Sequence, residues 1–137
     1  MTQANASFSV AGWDEKTWDG IPHNEVEGRK LTRAEVSFTY QGDIEGESTL
    51  QYLMSSNDDG TGTFVGIEKV TGSINGKSGT FVWQHVGTFD EKGVWAALTV
   101  APGSGTGELA GLSGKAEVTL AGHQDSYPIV FEYEIVS

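Results

Sequence analysis

The stretch that decides the fold holds an Asn-Gly pair between two alternating segments: Glu68-Lys69-Val70-Thr71-Gly72-Ser73-Ile74-Asn75-Gly76-Lys77-Ser78-Gly79-Thr80-Phe81-Val82-Trp83-Gln84-His85. Asn-Gly predicts a two-residue hairpin, because both central residues of a type I′ turn need a positive φ angle. Such a turn sets the register of its strands, so Glu68 should lie opposite Trp83, and Gly66 opposite His85. Opposed residues share one face of a sheet. The sequence therefore predicts Glu68, Trp83 and His85 on one face, with Glu68 diagonal to His85.

Alternation with a period of two recurs on both sides of this hairpin, and a helical period does not. About eight segments are predicted to be strands: Phe8–Trp13, Arg33–Tyr40, Thr49–Met54, Thr63–Thr71, Ser78–Phe89, Val94–Val100, Lys115–Leu120 and Ile129–Ile135. Short hairpins between them favour one all-β domain over residues 1–137, an eight-stranded antiparallel up-and-down barrel whose closure removes exposed edges. A sandwich of two sheets is the alternative, since period-two patterns fit both.

Two connections interrupt the alternation. The first is predicted as a long polar connection from Asp14 to Arg29, which contains Trp18, Pro22, His23, Glu25 and Glu27. Trp13 and Trp18 flank it and could cover a barrel mouth. The second, Pro102–Gly114, is rich in glycine and should hold no more than one short helical turn at Gly107–Ala110. Glycine makes up 19 of 137 residues, above its usual share of roughly 7%, and we attribute the excess to turns.

Composition excludes several classes of function. The chain has 8 lysines and arginines against 19 aspartates and glutamates, a formal charge of −11. That charge argues against binding duplex nucleic acid or an anionic membrane, both of which need clustered cations. No apolar run approaches the roughly 20 residues of a membrane span. No cysteine is present, so there is no disulfide or thiolate chemistry. Without a secretion-signal pattern at the N-terminus, we expect a cytoplasmic protein.

The inner face of the predicted barrel combines aromatic residues with an acid and an imidazole. If Phe89 pairs with Val94 in the next hairpin, His85 lies opposite Leu98. In an apolar cavity, Glu68 and His85 could exchange a proton near neutral pH, as general acid–base catalysis requires. The alternatives are a satisfied structural polar pair, or a β-bulge that turns Glu68 toward water. The candidate ligand-binding residues, which share an inward orientation or lie among the aromatic walls, are Phe38, Tyr52, Phe81, Trp83, Leu98 and Tyr133.

Other chemistries are not supported by motif spacing. Gly103–Gly107 is glycine-rich but lacks the Gly-Lys-Ser/Thr ending of a phosphate loop. Ser113 does not lie in a nucleophile-elbow motif. His23, His85 and His123 are far apart and show no metal-ligand spacing. We therefore expect no metal site and no cofactor.

Five motifs together resemble a known family: Glu27–Ala34, Gly42–Gly46, Phe64–Gly72, Gly79–Phe89 and Pro102–Gly114. They are similar to a family of uncharacterised, mostly bacterial proteins that is classed as a domain of unknown function, and the resemblance covers nearly the whole chain. It implies an eight-stranded barrel like that of allene oxide cyclase and the dirigent proteins. Proteins with that barrel bind small apolar molecules and steer cyclisation or coupling without a cofactor, often as homo-oligomers. Fold alone does not imply function.

Three functional hypotheses follow. The first is a cofactor-free isomerase or cyclase on a small apolar substrate, in which Glu68 and His85 move protons and Tyr52 donates a hydrogen bond. The second is a non-catalytic carrier or sensor barrel, in which the same residues only grip and orient a ligand. The third is an oligomeric protein with a filled barrel, which would have no cavity among Phe81, Trp83, His85 and Leu98.

Overall fold

The computed structural model describes residues 2–22, 28–121 and 124–136. His23, Glu25 and Glu27 of the long connection, and also His123, lie outside the described residues. Within that part of the chain, no helix is long and apolar enough to cross a membrane.

Eight antiparallel strands form a closed barrel, as predicted. Each strand pairs with its neighbours in chain order, and the last strand pairs with the first, so the sheet is a barrel and not a sandwich. The strands are β1 (Thr2–Thr17), β2 (Lys30–Gly42), β3 (Ile44–Ser56), β4 (Gly62–Ile74), β5 (Lys77–Asp90), β6 (Gly93–Val100), β7 (Leu112–Leu120) and β8 (Tyr127–Ile135). The short helical turn expected after β6 is a 3₁₀ turn over Gly107–Leu109.

The Asn75-Gly76 hairpin has the predicted geometry and register. Asn75 has a φ angle of 49° and Gly76 one of 84°, both in the left-handed region that a type I′ turn requires. Glu68 lies opposite Trp83, and His85 lies between Gly66 of β4 and Leu98 of β6. No bulge interrupts this pair of strands, so Glu68 keeps its inward orientation.

The prediction of a connection that begins at Asp14 was wrong. Strand β1 continues to Thr17, with Asp14 opposite Glu35 and Thr17 opposite Thr32. These polar residues remain in a strand because the ladder satisfies their backbone groups, and the Thr32 hydroxyl also donates a 2.9 Å hydrogen bond to Glu15 Oε2. A long strand with polar side chains at the barrel rim lacks the apolar alternation on which the sequence prediction relied.

The attribution of excess glycine to turns was also incomplete. Gly66 of β4 and Gly87 of β5 lie inside strands, and a Cβ atom at either position would collide with an aromatic ring of the neighbouring strand. Gly62, at the start of β4, lies against the Phe89 ring in the same way. These glycines make room for rings on the inner face.

The barrel has two unlike ends. The closed end carries the Asn75-Gly76 turn, Asp43 and the segment 101–111, and its interior is filled by stacked or edge-on rings. Phe131 lies 5.2 Å from Trp83 and 6.1 Å from Phe81 between ring centroids. The open end carries the turns Asn57–Thr61 and Asp90–Gly93.

Candidate functional site

Four polar side chains meet inside the barrel, one from each of the neighbouring strands β2 to β5. Tyr40, Tyr52, Glu68 and His85 form this polar chain. Glu68 is completely buried, and His85 is only 4% exposed. Glu68 is the one buried acid among the described residues. Inward alternation on four paired strands brings the four groups together, because opposed residues share a face.

Glu68 holds the centre of the polar chain. The Tyr40 hydroxyl donates a hydrogen bond to Glu68 Oε2, and His85 Nε2 lies 2.7 Å from Glu68 Oε1. A carboxylate accepts both hydrogen bonds, so Nε2 carries the proton that His85 donates. In the neutral imidazole the other ring nitrogen, Nδ1, is an acceptor, and it lies 3.5 Å from the Tyr52 hydroxyl. Glu68 thereby fixes the orientation and tautomer of His85.

Gly66 allows Tyr52 and His85 to meet although they stand two strands apart. Gly66 of β4 lies opposite Tyr52 on one side and opposite His85 on the other. A Cβ atom at Gly66 would lie 2.6 Å from the Tyr52 ring, which real atoms do not tolerate. The Tyr52 and His85 rings instead meet edge to face, with their centroids 5.5 Å apart.

Both tyrosines of the polar chain remain protonated. Burial raises the pKa of Tyr40 well above its ordinary value of 10.0, and the charge of Glu68 and the hydrogen bond to it raise it further. Burial likewise raises the pKa of Tyr52, with the Glu68 charge as the second cause. A phenolate beside a buried carboxylate is unfavourable. The hydroxyls of Tyr40 and Tyr52 therefore act as hydrogen-bond donors near neutral pH.

A mouth pocket of about 440 Å³ lies at the open end, next to this polar chain. Its rim is the turn Asp90–Gly93, and its walls are mostly aromatic or aliphatic: Phe8, Val10, Trp13, Phe38, Tyr52, Met54, Phe64, Phe89, Val94, Leu120 and Tyr127. The volume is in the range of roughly 300–1,000 Å³ that is typical of small-molecule sites.

A smaller cavity of about 30 Å³, here called the recess, lies deeper in the barrel. The mouth pocket and the recess share six wall residues: Phe8, Phe38, Tyr52, Phe64, Val94 and Leu120. The other six wall residues of the recess are Tyr40, His85, Ala96, Leu98, Val118 and Ile129. The polar chain therefore faces the recess, and Tyr52 belongs to both cavities.

Trp13 reaches the mouth pocket because β1 contains a bulge. The register of β1 against β2 shifts between Val10 and Gly12, so Val10 lies opposite Phe38 while Trp13 lies opposite Val36. The extra residue moves Trp13 to the inner face, where its ring lies 6.0 Å from that of Tyr52. Phe64 has the parity of Glu68, so alternation indicated its inward orientation although the candidate set did not include it. Trp13 was predicted only to flank the long connection and cover a barrel mouth, because alternation alone does not place it on the inner face. The break between Val10 and Trp13 was the available signal.

The other predicted site residues lie in different parts of the barrel. Phe38 and Tyr52 line the mouth pocket, and Leu98 lines the recess. Phe81 and Trp83 pack edge to face in the filled interior, with ring centroids 4.9 Å apart. Tyr133 lies toward the closed end, where its hydroxyl accepts a 2.7 Å hydrogen bond from Asn75 Nδ2. The structure thus brings together the polar residues but separates them from Tyr133.

No group of three or more His, Asp or Glu side chains that could hold a metal ion occurs among residues 2–22, 28–121 and 124–136.

Comparison with known proteins gives the family. Residues 4–133 match the family described as "Protein of unknown function (DUF3224)". The chain belongs to this family. A crystal structure of a DUF3224 family protein of unknown function from Shewanella oneidensis MR-1 is similar, with 30% sequence identity, a TM-score of 0.77 and 98% coverage of both chains. No curated protein matches the sequence. This chain and that family member thus share a fold, and the family description names no activity.

Proposed function

We propose that this chain binds a small apolar molecule in the mouth pocket and acts on it by proton transfer, as a cofactor-free isomerase or cyclase. One observation carries the proposal: the Tyr40–Glu68–His85–Tyr52 polar chain faces a recess whose walls are continuous with an aromatic pocket. Buried polar groups usually serve packing, but here Tyr40, Tyr52 and His85 line a cavity, and among the described residues the one partner of His85 Nδ1 is the distant Tyr52 hydroxyl.

Each group has a separate role in the proposed reaction. His85 Nδ1 takes or returns the proton, because it is the unprotonated ring nitrogen. Glu68 holds the ring through Nε2 and stabilises the imidazolium that forms, with Tyr40 fixing the carboxylate from its other oxygen. Tyr52 donates a hydrogen bond to the oxygen on which negative charge develops.

Binding and catalysis can be tested separately. N-phenyl-1-naphthylamine, a neutral fluorescent probe, should bind the wild-type protein, and Val94→Trp should weaken that binding at least tenfold by filling the pocket. Val130→Trp, on the exposed face of β8, is the matched control.

On a substrate that the wild type converts, Glu68→Gln should lower kcat about 10²–10⁴-fold without weakening binding. Full turnover by Glu68→Gln would contradict proton transfer by the Glu68–His85 pair, and equal probe binding by Val94→Trp would contradict ligand binding in the mouth pocket.

We also infer that the chain forms a homo-oligomer through the outer face of β4 and β5. The outward residues of Thr63–Ser73 and Ser78–Thr88 include no carboxylate, although the chain carries a charge of −11. Val65, Ile67 and Val86 on this face are 49%, 52% and 58% exposed. Two copies of an acidic chain repel each other least through such a face, and its apolar side chains favour contact.

Sedimentation velocity tests the oligomer directly. The wild type should sediment as a dimer or larger species, and Val86→Glu should dissociate it by placing a carboxylate on the shared face. Val130→Glu adds the same charge to the outer face of β8 and should leave the species unchanged. A monomeric wild type would contradict the inference.

A further inference from the structure

The size of the recess limits what a ligand can place there. Its volume is about 30 Å³. A cavity needs roughly 10–15 Å³ to hold a water molecule, so the recess has room for a single group of about that size. The recess lies below a pocket with more than ten times that volume. A ligand that occupies both must therefore have a large apolar body that ends in one small group.

The walls of the recess determine the chemistry of that small group. The Tyr52 hydroxyl is 3.5 Å from His85 Nδ1, which is long for a hydrogen bond, so it can turn to donate to a ligand acceptor. Among the residues that the structure describes, no lysine or arginine lines the recess, and Glu68 lies directly behind His85. A negatively charged group would lose its hydration there without gaining a cation, so a neutral acceptor is favoured.

Building on the proposed function, we propose that the substrate is a neutral ketone with an enolisable carbon, whose carbonyl oxygen occupies the recess and whose apolar body fills the mouth pocket. A carbonyl oxygen is small, neutral and an acceptor only, which matches the Tyr52 donor. The carbon next to the carbonyl then lies beside the acceptor nitrogen of His85.

The proposed step is an enolisation. His85 Nδ1 removes a proton from the α-carbon, and the electrons of that C–H bond form a carbon–carbon double bond. The carbonyl π electrons move to the oxygen, which accepts the hydrogen bond from Tyr52. The imidazolium then returns the proton to the oxygen, to the α-carbon or, in a conjugated substrate, to the γ-carbon. No oxidant or reductant is needed, because the product is an isomer of the substrate.

Binding of two probes with one skeleton tests recognition of the carbonyl. By calorimetry, 2-tetralone should bind about tenfold more tightly than tetralin, since one hydrogen bond contributes about that much. Tyr52→Phe should remove this preference, because phenylalanine keeps the ring in the pocket wall but cannot donate the hydrogen bond. If tetralin binds as well as 2-tetralone, the ketone assignment is wrong while the apolar pocket stands. If neither binds, both this inference and the proposed function fail.

Deuterium exchange tests the proton transfer. In D₂O, the wild type should exchange the α-protons of 2-tetralone faster than buffer alone, as followed by proton NMR. His85→Gln should abolish the excess rate, and Glu68→Gln should reduce it at least tenfold, while both variants still bind tetralin. Preferential binding of 2-tetralone without accelerated exchange would overturn the enolisation step.

Discussion

The two ends of the barrel are built from the same eight strands but use their inner faces differently. Toward the closed end, rings of Phe81, Trp83 and Phe131 contact one another and fill the interior. Toward the open end, rings lie over glycines of the neighbouring strand, as Phe64 lies over Gly87. Phe81, Trp83 and Phe131 are almost completely buried and leave no space between them, whereas Phe64 and the other rings at the open end line a pocket. Gly114 of β7 likewise lies against the Phe131 ring, so strand glycines lie under rings at both ends, and what differs is that the rings at the open end surround a pocket of about 440 Å³.

The largest expected difference between the two ends is in stability. Phe131 is fully buried, so Phe131→Ala should lower the free energy of unfolding by about 3–5 kcal/mol. Phe89 is only half-buried, at the mouth pocket. Phe89→Ala should therefore lower the free energy of unfolding by only about 1–2 kcal/mol, because less of the Phe89 surface leaves water on folding. Urea unfolding at neutral pH measures both changes.

Phe131→Leu provides a milder variant if Phe131→Ala does not fold, since an intact protein has only about 5–15 kcal/mol of stability. Phe131→Leu should still lower the free energy of unfolding by more than Phe89→Leu does. Equal losses at the two positions would mean that the open end is packed as tightly as the closed end, and the comparison would fail.

Local sequence predicted the register but not the pocket. Asn75-Gly76 has one favoured turn geometry, and counting outward from it paired Glu68 with Trp83 and placed His85 beside Gly66. The mouth pocket depends on non-local features. The bulge before Trp13 changes which residues of β1 face inward, and the effect of Gly66 depends on a ring from another strand. A two-residue period cannot reveal either feature.

The smallest effect concerns Tyr40, which lies between the two ends. Its pKa is raised in the folded state, so above pH 10 the unfolded chain loses a proton that the folded chain keeps. The free energy of unfolding should therefore fall as pH rises above about 10, by about 1.4 kcal/mol per pH unit for each such tyrosine. Urea unfolding from pH 8 to 11 measures this slope.

Tyr40→Phe should make the slope shallower by that amount, because phenylalanine cannot ionise, and Tyr52→Phe should also make it shallower. The comparison of the two variants probes how far water reaches into the barrel. Tyr40 is 3% exposed, whereas Tyr52 lines the mouth pocket. If the pocket admits water, Tyr52→Phe should change the slope less than Tyr40→Phe does. An unchanged slope in Tyr40→Phe would mean that the polar chain is open to solvent, and the distinction between a sealed interior and an open mouth would then be wrong.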